Sequence, residues 1–343
     1  MSASTNPETH PTSTQDSPPI EVSIIIISFN TCELLHESLT SAVTECSGLA
    51  SEIFVVDNGS TDGSIEMVEQ SFPQVILLRS ETNLGFGVAN NLALEQARGH
   101  YFILLNSDAF FEPGSLALAI RHMDETPACG LGGALLVGRG GTWQPSAKSF
   151  HSIFGDLIVL AGLADKFPKS KFFGRSSRTW ADENQPAQVD WVPGAFAIIR
   201  PSALERVGLF DPAFFLYYEE VDLCLRMKQA GLEVWYWPDI KITHVGGQSS
   251  RKLKTLEFST RTAQVVLWRM RSTLLYYRKH HGWQAWLAKW TETTLYHITV
   301  LRNQLSKDPE RRDRERHYRA MIALMDQAWI ETDGGRVSPP RPW

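Results

Sequence analysis

The chain has 343 residues, 43% of them hydrophobic, and a formal net charge of −5 at pH 7, which fits a globular protein with a large core. Its four cysteines are far apart in the sequence, which argues against a zinc finger or a disulfide scaffold and fits a reducing compartment. No run reaches the roughly 18 consecutive apolar residues that a membrane-spanning helix needs.

Residues 1–20 are rich in Ser, Thr and Pro and contain neither a basic start nor an apolar stretch. This composition predicts a disordered tail and not a signal peptide. We therefore expect a cytoplasmic protein.

The first half of the chain alternates apolar runs with helical patterns. The run "EVSIIIISF" is typical of a strand buried on both faces, and "TCELLHESLTSAV" after it has the apolar spacing of a helix. The same order recurs in "EIFVVD" before "GSTDGSIEMVEQSF", in "QVILLRS" before "GFGVANNLALEQARG", and in "YFILLNSD" before "PGSLALAIRHM". Four such units predict an α/β fold with three layers, α/β/α, around a Rossmann-like, mostly parallel sheet.

Polar side chains follow these predicted strands. They are Asn30, Asp57, Asn58, Asn83 and Asp108. In a sheet of this kind ligands bind outside the carboxyl ends of the strands, so these residues predict a binding crevice there. A carboxylate at the mouth of a crevice can stay hydrated or meet a cation, which accounts for an acid directly after the apolar run "YFILLNSD".

Five ordered motifs resemble family 2 inverting glycosyltransferases of the GT-A fold. They are "SIIIISFN", "VVDNGSTDGS", "ETNLGFGVANNLAL", "LLNSDAFFEPGSL" and "FDPAFFLYYEEVDLCLRMKQAGLEVWYWPDIKITHVGGQS". The most similar subgroup is the rhamnosyltransferase-like enzymes of bacterial surface polysaccharide assembly. The resemblance implies a GT-A domain over residues 21–250, with a nucleotide-sugar-binding half at 21–125 and an acceptor-binding and catalytic half at 126–250.

The first two motifs of this family hold the base of the nucleotide donor. The resemblance assigns that role to Phe29 and Asn30 near the ring and to Asp57, beside Asn58, as the acceptor for the base edge. The alternative for Asp57 is an N-terminal cap of the following helix.

The third motif implies that Asn83 fixes a loop whose glycines, Gly85 and Gly87, let the backbone approach the ribose and the diphosphate. Helix packing is the alternative reason for both glycines.

The triplet "NSD" occupies the place of the Asp-X-Asp metal motif of the fold, with Asn106 in place of the first acid. The resemblance implies that Asp108 binds Mg²⁺ or Mn²⁺, and that His244 of "ITHVGGQS" is the second ligand. Asn106 would then contact only the donor. A hydrogen-bonded core position is the alternative for the histidine.

Three acids in "YYEEVDLCLR" are candidates for the base that takes the proton of the acceptor hydroxyl. The resemblance favours Glu220, with Glu219 and Asp222 orienting the acceptor or the loop. The alternative for these last two is a solvated first helical turn. Upstream, "DWVPGAF" matches the family segment that lines the acceptor pocket, and this assigns Trp191 and Gly194 to acceptor binding, with core packing as the alternative for the tryptophan.

The region after the motifs is basic. Residues 251–319 contain 16 Lys or Arg and 6 Asp or Glu, and the tryptophan-rich segment "GWQAWLAKWTETTLYHITVLRNQL" has helical spacing. We expect a basic helical extension over 251–330 and a tail at 331–343. The extension either binds an anionic membrane surface or packs on the catalytic domain or on another subunit. Both alternatives stay open, because a basic solvated helical face is as common as a lipid-binding one.

These expectations together predict an enzyme, a metal-dependent inverting glycosyltransferase. The donor is a nucleoside diphosphate sugar, with dTDP-rhamnose as the leading candidate, and the acceptor is a hydroxyl of a glycan or lipid-linked glycan. The alternatives are another donor, such as a UDP-hexose or UDP-galactofuranose, or a noncatalytic nucleotide-sugar-binding protein. We expect no nucleic-acid partner and a place in the cytoplasm, peripheral on the inner membrane if the extension binds lipid; the oligomeric state stays open.

Overall fold

The computed structural model describes residues 19–246, 260–304 and 306–339. The strands are β1 (Val22–Ser28), β2 (Ser51–Asp57), β3 (Ile76–Arg79), β4 (Tyr101–Asn106), β5 (Ala109–Phe111), β6 (Cys129–Val137), β7 (Trp143–Gln144), β8 (Ala187–Gln188), β9 (Phe196–Ile199) and β10 (Glu233–His244). The helices are α1 (Cys32–Glu45), α2 (Ser64–Ser71), α3 (Phe86–Leu94), α4 (Ser115–Glu125), α5 (Ile153–Leu160), α6 (Leu163–Lys166), α7 (Pro201–Val207), α8 (Glu219–Gln229), α9 (Thr260–His281), α10 (Gln284–Gln304) and α11 (Pro309–Glu331).

The strands form one sheet in the order β3-β2-β1-β4-β9-β6-β10-β5, with β7 beside β6 and β8 beside β10. Strands β1 to β4 are parallel, and β6 and β10 are parallel to each other. Strand β9 is antiparallel to β4 on one side and to β6 on the other, so β6 and β10 run in the direction of β4. The predicted fold class, a mostly parallel sheet in an α/β protein, is confirmed.

Helices cover both faces of this sheet. On one face Leu39 of α1, Val68 of α2 and Met123 of α4 pack against the apolar side chains of the strands. On the other face Ala93 of α3 and Met227 of α8 do so. The continuous apolar runs of the central strands follow from this arrangement, because both faces of each strand are removed from water.

The C-terminal helices α9, α10 and α11 form the predicted helical extension and share an apolar core of their own. Helix α9 also packs against the α/β part of the chain, where Tyr276 and Tyr277 join a cluster with Phe214 and Tyr218. Residues 332–337, predicted as part of a tail, pack back on this bundle: Thr332 is fully buried, and the backbone oxygen of Gly334 accepts a hydrogen bond from Arg278. The expected tail at 1–20 falls almost entirely outside the described residues, as do residues 247–259.

Many basic side chains of the extension form ion pairs inside the protein. Arg269 binds Glu292, Arg271 binds Glu331, and Lys289 binds Asp326. Among the residues that the structure describes, no helix has both the length and the apolar character that crossing a bilayer requires.

Candidate active site

The loops after β1 and β2 are linked at the carboxyl edge of the sheet. Asn30, which has a φ of 54°, accepts a hydrogen bond from the Thr61 amide at 2.8 Å. Phe29 beside it is 40% exposed. Asp57 is buried; its Oδ1 accepts from the amides of Gly59 and Ser60, while its Oδ2 has no hydrogen-bond partner among the described residues. Asp57 therefore stabilises its own turn and keeps one buried acceptor atom, whereas the N-cap of the following helix α2 is Gly63, so Asp57 is not the cap of that helix.

Asn58 and Asn83 hold the loop before α3. Asn58 Nδ2 donates to Asn83 Oδ1 at 2.9 Å and to the Gly85 oxygen, and Asn58 Oδ1 accepts from the Leu84 amide. The side chain of Asn58 is thus fully used inside the protein. The predicted loop-fixing role fits Asn83, and the contacts of Asn58 fix the same loop.

The two glycines of this loop are required by packing. Gly85 has a φ of 83°, and a Cβ atom there would lie 2.2 Å from the backbone oxygen of Phe215. Gly87 packs in α3 against Phe210, 3.0 Å from the position of such an atom. Packing, the alternative reason weighed for both glycines, is therefore present at each of them, against the chain's own 210–215 segment.

Asp108 and His244 meet at the edge of the sheet, as the sequence predicts. Strand β5 pairs with the end of β10, which places Ala109 opposite His244. His244 Nε2 lies 3.4 Å from Asp108 Oδ1, and the Val245 amide donates to the Asp108 backbone oxygen. Asn106 precedes them at the end of β4.

Gln144 orients the imidazole of this pair. Its Nε2 donates to the His244 backbone oxygen at 2.8 Å, so its Oε1 is the atom that faces His244 Nδ1 at 2.8 Å. This network assigns the proton of the neutral imidazole to Nδ1 and leaves the Nε2 lone pair directed at the carboxylate. Two acceptor atoms that face each other are a suitable pair of ligands for a divalent cation, although the described residues hold no group of three or more such side chains.

Glu220 lines a cavity of about 350 Å³ beside this edge. One of its carboxylate oxygens, Oε2, is buried without a hydrogen-bond partner among the described residues. Burial raises the pKa of Glu220, while hydrogen bonds from its own backbone amide and that of Gly194 and the nearby His151 act in the opposite direction. The arrangement gives a carboxylate that can accept a proton from a group bound in the cavity.

Glu219 and Asp222 lie on the same helical turn but are not among the residues that line the cavity. Burial and the adjacent Glu220 charge hold the pKa of Glu219 well above its usual value. Asp222 is fully buried and accepts hydrogen bonds from Arg226, Lys279 and His280. This carboxylate joins α8 to the helical extension.

The turn that carries these acids has an unusual backbone. Tyr217 and Tyr218 have φ values of 68° and 72°, a conformation that costs non-glycine residues roughly 1–3 kcal/mol each. Ser272 of α9 donates to the Leu216 oxygen at 2.8 Å, and Tyr276 of α9 packs on Tyr218 with ring centroids 5.2 Å apart. The extension therefore stabilises the turn before Glu220.

Trp191 lines the cavity, as expected for an acceptor-binding residue. Its ring stacks at 5.9 Å on His151, and its Nε1 donates to the Ser149 oxygen. At Gly194 a Cβ atom would come within 2.8 Å of the Phe86 ring, so the glycine allows α3 to pack closely.

One backbone contact links the two parts of the site. The Asn106 amide at the end of β4 donates to the Ala195 oxygen at 3.1 Å, and Ala195 follows Gly194, whose amide faces Glu220. The strand end that leads to Asp108 and the wall behind Glu220 are thus adjacent.

A family model described as "Glycosyl transferase family 2" matches residues 23–208, which is more than half of the chain. The chain belongs to glycosyltransferase family 2. The predicted family and the predicted enzyme class are confirmed.

Named relatives of this glycosyltransferase include two rhamnosyltransferases. It is 28% identical over 257 residues to an N-acetylglucosaminyl-diphospho-decaprenol L-rhamnosyltransferase of Mycobacterium tuberculosis, a match that covers 70% of this chain and 78% of that protein. It is 27% identical over 209 residues to rhamnosyltransferase WbbL of Escherichia coli, covering 56% and 69%. The predicted rhamnosyltransferase-like subgroup is thereby supported.

Solved structures show the same fold at low sequence identity. A mannosyltransferase from Pyrobaculum calidifontis, solved with GDP-Man and Mn²⁺, matches with a TM-score of 0.55 and 15% identity, covering 91% of this chain and 89% of that one. GalNAc-T7, solved with UDP, GalNAc and Mn²⁺, matches with a TM-score of 0.54 and 14% identity, covering 93% and 59%. Both support the GT-A fold.

Several cavity residues of this glycosyltransferase lie outside the recognised motifs. His151 Nδ1 lies 2.8 Å from Asp156 Oδ1, and Tyr277 of α9 donates to Asp156 Oδ2 at 2.6 Å. Lys148 and Arg269 also line the cavity. The sequence offers no spacing that connects these positions, because they come from the segment after β7 and from the extension.

Proposed function

We propose that this glycosyltransferase is a metal-dependent, inverting rhamnosyltransferase of cell-surface polysaccharide assembly. Its donor would be dTDP-rhamnose and its acceptor a hydroxyl of a glycan or lipid-linked glycan. The names of the two bacterial relatives support the sugar, and the fold supports a nucleotide-sugar donor at the carboxyl edge of the sheet.

The observation that carries the proposal is the free carboxylate oxygen of Glu220 in the cavity. A sugar hydroxyl is a weak nucleophile until a base takes its proton. With the hydroxyl in the cavity, Glu220 accepts that proton while the oxygen attacks the sugar from the side opposite to the nucleoside diphosphate. One base and one displacement invert the anomeric centre.

Asp108 Oδ1 and His244 Nε2 are the atoms that would hold Mg²⁺ or Mn²⁺, with Gln144 keeping the imidazole oriented. When bound, the cation would neutralise the charge that develops on the departing diphosphate. Asp57 Oδ2 is the buried acceptor that we propose for the nucleotide base, beside Phe29 and Asn30. Asn106 would lie against the donor, without the charge of the usual acid.

The lipid part of a lipid-linked acceptor has a suitable path out of the cavity. Val159 and Leu160 of α5 line it, and Val159 is 49% exposed. Phe154 of the same helix and Phe172 are also exposed, and their rings contact each other at 5.3 Å. Exposed apolar side chains in the lining of a cavity that also contains charged residues fit an amphipathic acceptor.

A donor screen tests the proposed function. Purified enzyme is given dTDP-rhamnose, a UDP-hexose or UDP-galactofuranose together with an N-acetylglucosaminyl-diphospho-lipid acceptor, each with Mn²⁺, with Mg²⁺ or with EDTA. We expect transfer with dTDP-rhamnose only when a metal is present. Faster transfer from a UDP-sugar would contradict the proposed donor, and full activity in EDTA would contradict the metal. No turnover with any donor, together with retained nucleotide-sugar binding, would favour the noncatalytic alternative.

We also propose that the extension binds an anionic membrane surface on the cytoplasmic side. Trp283, which directly precedes α10, is 67% exposed, and Trp286 and Trp290 within α10 are 53% and 54% exposed. Tryptophan beside basic residues is typical of interfacial helices. The protein should float with anionic vesicles and lose binding at high salt. Replacing Trp286 and Trp290 with Ser should abolish flotation, whereas Ile330→Ser, at an exposed site on α11, should not. Equal flotation with neutral vesicles would contradict the electrostatic part of this proposal.

A further inference from the structure

Lys148 is a cation in the cavity wall for which the reaction described above has no use. Its backbone amide donates to the Trp191 oxygen at 3.1 Å, and its backbone oxygen accepts from the Asp190 amide at 3.0 Å. This fixes Lys148 beside Trp191, which lines the same cavity as Glu220.

The Lys148 ammonium has a hydroxyl partner but no carboxylate partner among the described residues. Its Nζ donates to Ser177 Oγ at 2.9 Å. Removal from water alone lowers the pKa of Lys148 to about 8, with no nearby carboxylate acting against it. A cation that is partly removed from water and has no counter-ion costs free energy, which an anion bound in the cavity would offset.

Two other charged groups of this cavity, Arg269 and Asp156, already have partners. Arg269 binds Glu292 at 3.1 Å, and Asp156 accepts from Tyr277 and faces His151. Glu220 contributes no charge interaction to the pKa of Lys148. Lys148 is therefore the cation of the described cavity wall that lacks an ionic partner.

Hydroxyl side chains lie in the same cavity wall as this cation, and one of them, Ser177, contacts its Nζ. Ser149, Ser176 and Ser177 line the cavity with it, and each can donate a hydrogen bond to an anion. One ammonium and several hydroxyls at one wall form a site for a phosphate group. A neutral side chain could hold Ser177 equally well without the cost of a buried charge, so a purely structural role does not explain the lysine.

We infer that Lys148, with the neighbouring serine hydroxyls, binds a phosphate group of the acceptor and so makes the enzyme prefer phosphate-linked acceptors over neutral glycosides. This inference rests on the proposed function, because it assumes that the cavity of Glu220 receives the acceptor. It assigns a specificity-determining residue outside the motifs of the family.

The test uses two synthetic acceptors with the same sugar and the same octyl chain. In one the sugar is joined directly to the chain, and in the other a diphosphate joins them. Wild type, Lys148→Met, Lys148→Arg and Lys169→Met are compared, the last being a matched control because Lys169 is exposed nearby, outside the cavity. Thermal midpoints confirm that all four proteins fold.

We expect Lys148→Met to raise KM for the diphosphate acceptor by roughly 10- to 100-fold, which corresponds to the loss of hydrogen bonds to a charged group. KM for the neutral acceptor, KM for the donor, and kcat should change little. Lys148→Arg should recover most of the preference, and Lys169→Met should behave as wild type. An equal loss with both acceptors, or no loss, would overturn the inference. A rise confined to the donor KM would assign Lys148 to the donor diphosphate instead.

Calorimetric titration with octyl diphosphate separates this inference from the proposed function. Binding that requires Lys148, in an enzyme that transfers sugar to neither acceptor, would retain the phosphate site and reject the proposed reaction. Transfer to both acceptors, with octyl diphosphate bound equally by wild type and Lys148→Met, would reject the site and retain the reaction.

Discussion

Two carboxylates on opposite sides of the first turn of α8 have opposite surroundings. On the side that faces the cavity, Glu220 has a buried oxygen without a hydrogen-bond partner, and burial raises its pKa. On the side that faces α9, Asp222 is buried more completely but is surrounded by donors. Burial there acts to raise the pKa of Asp222, but the hydrogen bonds of His280 and Lys279 and the charges of Arg226 and Lys279 outweigh it and lower the pKa to about 2.

The difference shows that hydrogen-bond and charge partners, and not burial, decide whether the pKa of a carboxylate on this helix is raised or lowered. Two residues apart on one helix, one carboxylate is left able to take a proton and the other is held charged. The basic charge of the extension is used partly for this purpose, because Lys279 and His280 come from α9.

The largest effect is expected from a substitution on the side of α8 that faces the cavity. Glu220→Gln keeps the size of the side chain but removes the basic oxygen, so turnover should fall by about 10²- to 10⁴-fold. Donor affinity and the free energy of unfolding should hardly change. Steady-state kinetics, with donor binding measured by calorimetry, provide the comparison.

Glu219→Gln is the matched control, because the same substitution one residue earlier affects an acid that does not line the cavity. It should reduce turnover far less. If Glu219→Gln were inactive and Glu220→Gln active, the base would be Glu219. The contrast between Glu220 and Asp222 would then not explain which acid takes the proton.

The next largest effect is expected from a substitution on the side of α8 that faces the extension. Asp222→Asn leaves the Arg226, Lys279 and His280 cluster without its charge partner, and breaking a buried ion pair typically costs about 3–5 kcal/mol. The free energy of unfolding in urea should fall by an amount of that order. Turnover of the folded fraction should fall less than in Glu220→Gln.

Glu37→Gln serves as the control for Asp222→Asn. Glu37 pairs with Arg139 at 2.7 Å, but both side chains are exposed, and such pairs contribute about 0–1 kcal/mol. Equal losses in both variants would mean that the Asp222 cluster stabilises no more than a surface pair.

A smaller effect is expected near a third carboxylate, Asp108. Its Oδ1 faces Nε2 of His244, an acceptor atom, and not a protein cation. Gln144→Leu removes the group that orients this imidazole and should weaken Mn²⁺ binding in the presence of nucleotide by about 10- to 100-fold. Gln96→Leu, at an exposed position, should leave it unchanged. Mn²⁺ titration followed by electron paramagnetic resonance measures the affinity, and unchanged affinity in Gln144→Leu would reject the proposed ligand.

The sequence predicts the sheet and its site edge well because local patterns determine both. Apolar runs followed by helical spacing define the parallel strands, and the ends of such strands meet at one edge, which brings Asp108 to His244 from opposite ends of the domain. Glu220 is found from its motif.

The role of Asp222 cannot be predicted in this way. Its partners Lys279 and His280 lie 57 and 58 residues later, in a helix that carries none of the motifs. The contact of Gly85 cannot be predicted from the sequence either, because a glycine pattern does not show whether a ligand or the Phe215 backbone lies next to the glycine. Long-range packing decides both cases.

The smallest expected effect is a difference between the pH dependence of activity, which depends on Glu220, and the pH dependence of stability, which depends on Asp222. Because burial raises the pKa of Glu220, kcat/KM should fall with decreasing pH at a value above the ordinary glutamate pKa of 4.5. The pKa of Asp222 is instead lowered from 3.8 to about 2, so its contribution to stability, on the order of 2 kcal/mol, is fully present above pH 4 and is lost only as pH falls through about 2. Activity should therefore decline on the acid side while the extension remains docked. Measuring kcat/KM and the urea midpoint between pH 4.5 and 7 tests this: a parallel decline of both would mean that loss of folding, and not protonation of Glu220, limits activity in acid.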